Sequence, residues 1–223
     1  MNRIVITAAI RATIAAGAFI GATVPVLADE YWDQKTSLFS ILPIQSNDIV
    51  FVGNSITDGG EFSELFGIPN IKNRGIRSDV ITGVEKRISQ VTSGHPAKIF
   101  LLIGINDISH GLTTAKLAER YERLVKRIRE ESPETKVYLQ SIMPINNDFG
   151  RYRNLKGKEN AVRALNVEIE RIAKEQGAKF IDLWPYLAGA DGKLKKQFTN
   201  DGLHLNGQGY RAWTNGIRND VKE

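Results

Sequence analysis

The sequence predicts a three-layer α/β/α domain built on a five-stranded parallel sheet. Three observations lead there. Five short apolar runs recur along the chain. Segments with apolar residues at helical spacing lie between them. The Gly, Asn, Ser, Asp and His residues suited to chemistry gather just after the apolar runs. Alternating strands and helices imply right-handed crossovers, and so a parallel sheet covered on both faces.

The runs are DIVFVG (48–53), IKNRGI (71–76), KIFLLIG (98–104), KVYLQSIMP (136–144) and AKFIDLWP (178–185). The third and fourth are rich in Ile, Leu and Val with little alternation, as strands buried on both faces are. IKNRGI carries the weakest strand signal. Between the third and fourth runs, Leu117, Tyr121, Leu124, Val125 and Ile128 form a helical stripe, with Lys, Arg and Glu on the other face. Thr113 fits an N-cap and Pro133 a stop. From Glu159 to Gln176 a second stripe runs through Val162, Leu165, Ile169, Ile172 and Ala173. Gly177 follows, where a helix C-terminal glycine belongs. A shorter helix is expected from Val80 to Val91, and a last one from about Gly207 to Asn219.

The first 28 residues differ from the rest. They carry Arg3 and Arg11, no acid, and a run of Ala, Ile, Gly and Val ending in Val26-Leu27-Ala28. That is the pattern of a secretory signal peptide, with cleavage expected before Asp29. The alternative is an uncleaved anchor, for which 12–28 is short and broken by Pro25. Residues 29–223 then form one domain, which the 42% hydrophobic content of the 223-residue chain can supply with a core. The formal charge of +5 falls by two when the leader is removed, too small an excess to argue for nucleic acid. With no cysteine, disulfides, thiol catalysis and thiolate metal sites are excluded. No later segment is apolar enough for a stable membrane span.

In open parallel sheets ligands bind beyond the carboxyl ends of the strands. Ser55 lies just after the first run, in FVGNSITDGG. A serine hydroxyl needs a base to act as a nucleophile. Of three histidines, His95 precedes a strand and so falls at the wrong edge. His110 has no obvious acidic partner. His204, in NDGLHLNGQG, follows Asp201 by three residues, a spacing that can bring a carboxylate to the imidazole Nδ1–H. The alternative for that stretch is a helix-entry turn with Asp201 or Asn206 as a cap. Acyl transfer also needs donors for a developing oxyanion. The candidates are the backbone N–H groups of Ser55 and Gly75 and the side-chain amide of Asn106. Read singly, Gly75 is also a turn residue and Asn106 also a cap.

Ser55 in GNSIT, Gly75 in NRGI, Asn106 in GIND and Asp201/His204 in DGLHLN together resemble the SGNH hydrolases, also called GDSL esterases, across almost the whole of residues 29–223. The resemblance implies a flavodoxin-like fold and no metal or other cofactor. It implies Ser55 as nucleophile, His204 as base and then acid, and Asp201 as its orienter. Ser55, Gly75 and Asn106 would form the oxyanion hole. GNSI replaces the eponymous GDSL, with Asn54 in place of Asp. That is similar to the branch holding platelet-activating-factor acetylhydrolase catalytic subunits and bacterial sialate or carbohydrate O-acetylesterases. The expected substrate is a small-molecule or glycan ester, chiefly O-acetyl, met in a periplasm or outside the cell. Arg74 and Arg77 flank Gly75, and NNDFGRYRNLKGK (146–158) adds Tyr152 and further arginines. These would hold a sugar ring or a carboxylate, or else form a solvated basic surface. A lipid ester is the second substrate reading. A silent glycan-binding module is the reading outside enzymes. Phosphate-binding glycine motifs and the GxSxG elbow are absent.

Overall fold

The strands β1 (Ile49–Gly53), β2 (Ile71–Gly75), β3 (Lys98–Leu102), β4 (Lys136–Gln140) and β5 (Lys179–Ile181) form one sheet in the order β2-β1-β3-β4-β5. Every pairing is parallel. The structure is a computed structural model and describes residues 26–223. The expected three-layer α/β class is the observed one, and the strand order is the flavodoxin-like one. The helices in chain order are α1 (Val26–Ser40), α2 (Ser55–Asp58), α3 (Phe62–Phe66), α4 (Ile81–Arg87), α5 (Ser89–Thr92), α6 (Ile105–Ser109), α7 (Thr114–Glu131), α8 (Glu159–Glu175), α9 (Trp184–Leu187), α10 (Gly207–Gly216) and α11 (Arg218–Lys222). Residues 1–25 of the expected leader lie outside the described residues. The boundary expected after Ala28 falls in the first turn of α1.

The two long helices form as their spacing predicts. Thr113 caps α7, its side chain accepting the Lys116 N–H, and the stripe from Leu117 to Ile128 is buried. The α8 stripe from Val162 to Ala173 is buried as well, and Gly177 follows at φ +66°. Helices α4, α7 and α8 pack side by side. On the other face an aromatic row crosses the sheet. Phe51 stacks on Phe100 at 4.9 Å and Phe100 on Tyr138 at 4.4 Å. Phe62 of α3 covers Phe51 at 4.1 Å, and Trp213 of α10 meets both edge-on. Each such contact adds about 0.5–1.5 kcal/mol beyond the area it buries. The row ties α3 and α10 to the central strands on that face.

Four elements differ from expectation. The last helix, expected from about Gly207 to Asn219, is two pieces, α10 and α11, that meet at Ile217. The Val80–Val91 helix is two pieces, α4 and α5, joined at Ile88. The fourth run stops pairing early because β5 has only three residues before the chain turns at Asp182 into α9, where Pro185 sits in the first turn. Helix α1 carries no apolar stripe strong enough to be read from sequence. It docks largely through polar contacts, Trp32 Nε1 to Asp79 Oδ1 at 3.2 Å and Tyr31 OH to Asp58 Oδ2 at 3.0 Å, with Phe39 as its buried anchor.

Candidate active site

Strand β1 ends at Gly53, and the buried Asn54 caps α2 by accepting the Ile56 N–H at 3.0 Å. Ser55 therefore opens a one-turn helix at the carboxyl edge of the sheet. The turn is braced from α10, where Tyr210 OH donates to the Ile56 carbonyl at 2.8 Å. Asn54 thus caps the turn that presents Ser55.

Ser55 Oγ lies 2.9 Å from His204 Nε2. The Asp201–His204 spacing folds as a turn in which one carboxylate does two jobs. Asp201 Oδ1 accepts the N–H groups of Leu203 and His204, at 2.9 and 2.8 Å. Oδ2 lies 2.8 Å from His204 Nδ1. Thr199 Oγ1 closes the turn by accepting the N–H of Gly202 at 2.9 Å. A carboxylate facing Nδ1 keeps the proton there and leaves Nε2 free to accept the Ser55 hydroxyl proton. Burial alone would raise the Asp201 carboxyl. Hydrogen bonds from His204, the Leu203 N–H and Tyr152 outweigh it and hold the group well below the usual carboxylate range. Asp201 therefore stays ionised wherever a histidine base works.

Tyr152 is part of this cluster. Its hydroxyl donates to Asp201 Oδ2 at 2.8 Å and lies 2.9 Å from His204 Nδ1. Burial, followed by contact with Asp201, pushes its phenol up to about 12. Tyr152 lines the cleft as expected of a substrate-binding residue, but its polar end is spent on the Asp201–His204 pair.

The oxyanion side corrects one expectation. Gly75 does not face the cleft, and its N–H donates to Asn73 Oδ1 at 2.7 Å. Its lack of a side chain serves packing, because a Cβ there would run into the backbone of Thr57 and Asp58 in α2. The exposed backbone N–H lies three residues on. Ser78 sits at φ +61°, lines the cleft with Ser55 and Asn106, and has no N–H acceptor among the described residues. The Ser55 N–H is likewise without one. Asn106 rides on α6, entered through Gly104 at φ +128°, and gives one amide proton to the Asp79 carbonyl at 2.8 Å. Its second amide proton remains for a ligand. Asp79 also fixes the Ser78 loop through a buried pair with Arg87 at 2.8 Å, and Arg87 reaches the Gly53 carbonyl at 3.2 Å. A donor in the left-handed region is invisible to sequence patterns, which is why the neighbouring glycine drew attention instead.

Arg74 is a second correction. It is buried, donates to the Leu42 and Asn73 carbonyls, and stacks on Phe39 at 4.7 Å, so it fastens α1 rather than meeting substrate. Arg77 does line the cleft. It is paired with Asp58 at 3.1 Å and lies over the Tyr31 ring. Arg151 and Arg153, on the same loop as Tyr152, line the cleft with no ion-pair partner among the described residues. His95 and His110 are exposed and do not line the cleft. Trp213 is fully buried, as a packing residue should be. Among the described residues no group of three or more His, Asp or Glu could hold a metal ion.

The cleft over Ser55 encloses about 760 Å³, within the usual range for small-molecule sites. The GDSL-like Lipase/Acylhydrolase family matches residues 51–212, a span that holds every residue of this cluster. The chain belongs to that family. This GDSL-type protein is an ester-hydrolysing enzyme. It is similar to the structure of a protein provisionally called a platelet activating factor from Streptococcus pneumonia. The two are 27% identical with a TM-score of 0.78, over 87% of this chain and 92% of the other. A GDSL-like lipase from Bacteroides thetaiotaomicron shares the fold, at 23% identity and a TM-score of 0.75 over 86% and 97% of the two chains. An N-acylneuraminate cytidylyltransferase of Escherichia coli O18:K1:H7 is 28% identical over 181 residues. That is 79% of the GDSL enzyme but only 41% of the relative's length.

Proposed function

We propose that this enzyme is an exported serine esterase that removes short acyl groups, chiefly acetyl, from hydroxyls of acidic carbohydrates. The observation that carries the mechanism is the Ser55 Oγ–His204 Nε2–Asp201 alignment, at 2.9 and 2.8 Å, opening into the cleft. Ser55 Oγ attacks the ester carbonyl as His204 takes its proton. The tetrahedral oxyanion is met by the N–H groups of Ser55 and Ser78 and by Asn106 Nδ2. His204 then protonates the departing sugar oxygen, leaving an acyl-Ser55 that water clears by the same base. Asp201 stays ionised and stabilises the imidazolium in both halves.

Two features support the substrate class. Arg151 and Arg153 stand at the cleft unpaired, and among the described residues no carboxylate lines it. Guanidinium groups placed so favour an anionic substrate. The relative from Escherichia coli bears the name of an acidic sugar. Export rests on the leader pattern of residues 1–28. It would place the enzyme in a periplasm or outside the cell, without nucleic-acid partners.

The test is acetate release by residues 29–223 and by Ser55→Ala, from para-nitrophenyl acetate, the matching octanoate, and neutral and acidic O-acetyl sugars. Serine-dependent release fastest from an acidic sugar is expected. Replacing both Arg151 and Arg153 with alanine should raise KM for that sugar and leave the nitrophenyl ester unaffected. Faster octanoate turnover would turn the case toward lipids. Release that survives Ser55→Ala would end the mechanism.

A further inference from the structure

Among the described residues, Tyr152 is the one side chain outside the Ser55–His204–Asp201 set within hydrogen-bond distance of both members of the base pair. An ionised carboxylate only accepts, so the 2.8 Å contact is Tyr152 OH donating to Asp201 Oδ2. That oxygen also faces His204 Nδ1 at 2.8 Å. The phenolic oxygen is itself 2.9 Å from Nδ1. The two rings meet edge-on, 5.6 Å between centroids.

The loop that carries Tyr152 is fixed on both sides of it. Before it, the Asn146 N–H donates to the Gly202 carbonyl at 2.8 Å, inside the Asp201–His204 turn. After it, Leu155 is buried and its carbonyl accepts Asn147 Nδ2 at 3.1 Å. The hydroxyl is delivered by a braced segment, and the same segment sets Arg151 and Arg153 along the cleft.

We infer that Tyr152 is a positioning residue of the hydrolytic centre, which holds Asp201 and the Nδ1 proton of His204 in register and tempers the basicity of His204. The inference rests on the esterase reading above. A donor on Oδ2 disperses the carboxylate charge that would otherwise stabilise the imidazolium. Removing it strengthens the base and loosens its orientation.

The experiment compares Tyr152→Phe, which keeps the ring and removes only the hydroxyl, with the native enzyme. Besides Tyr152, the charged and titratable groups around His204 are Asp201 on its own turn, Arg151 and Arg153 on the Tyr152 loop, Arg77 with its partner Asp58 beyond Ser55, and Tyr210 on α10. All of them stay in the variant, so a shift reports the lost hydroxyl. We expect kcat on para-nitrophenyl acetate to fall roughly tenfold with KM unchanged, as loss of one charge-assisted hydrogen bond implies. The acidic limb of kcat/KM should move up by roughly half to one pH unit. The His204 imidazole, followed by NMR in resting enzyme, should titrate higher by the same amount. A raised KM with kcat and the titration unmoved would make Tyr152 a substrate contact and overturn the inference. So would a variant identical to the native enzyme. The NMR titration needs no turnover, so it still judges Tyr152 if native enzyme shows no serine-dependent hydrolysis, the result that would sink the esterase mechanism itself.

Discussion

Replacing Asp107 with asparagine tests how the fold supports the oxyanion side of the cleft. Asp107 follows Asn106 on α6 and is fully buried. Its Oδ2 accepts the Ile81 N–H at 3.0 Å, which pins the start of α4 just after the Ser78 loop. Its Oδ1 has no hydrogen-bond partner among the described residues, and Arg120 is 3.7 Å away. Burial pushes this carboxyl from 3.8 up to about 6, against the pull of the Ile81 N–H and Arg120. The sign follows from linkage. Well below 3.8 the group is protonated in folded and unfolded chains alike, and burial costs nothing extra. Between 3.8 and about 6 the unfolded chain loses its proton first, so stability falls as pH rises. Above that window the full penalty stands, about 3 kcal/mol at about 1.4 kcal/mol per unit. Asparagine is neutral throughout. Its buried amide adds a constant offset, while the stability of Asp107→Asn relative to native rises by about 3 kcal/mol across the window. Urea unfolding of both proteins at several pH values from about 4 to 8 measures that difference as a shift between midpoints. A difference that stays flat with pH would refute the argument, because Arg120 and the Ile81 N–H would then be compensating the buried charge in full.

Two further substitutions probe the donors themselves. Ser78→Gly should leave kcat close to native, because the donor is the backbone N–H. It should change stability by no more than about 1 kcal/mol, since relief at φ +61° is partly offset by the freer unfolded chain. A tenfold loss of kcat would mean that the hydroxyl takes part. Asn106→Ala should lower kcat by roughly 10²–10³ with KM little changed. It also removes the bond to the Asp79 carbonyl, so thermal unfolding is followed alongside, and a change confined to KM would make Asn106 a binding residue.

What the sequence revealed and what it concealed divide along a physical line. The stripes of α7 and α8 and the runs of β1, β3 and β4 are legible because burial selects residue types at a fixed period. Ser55 and the Asp201–His204 pair are legible because each is local, one just past a strand and the other within a single turn. Helices α2 and α6 are too short to show any period, and α1 docks by Tyr31, Trp32 and a buried Arg74, contacts that no stripe announces. The failure at Gly75 is more instructive. Glycine does signal close approach, and the approach is real, but it is made to the backbone of α2 and not to a substrate. The exposed N–H at Ser78 belongs to the main chain, and any residue except proline has one. What singles it out is a dihedral angle, held by the Asp79–Arg87 pair and by Asn106 from another strand end. The contact that Tyr152 makes is hidden in the same way, to a carboxylate 49 residues away. The candidate nucleophile and base are specified by what they are. The donors and the braces around them are specified by where the fold holds them, and only the structure shows that.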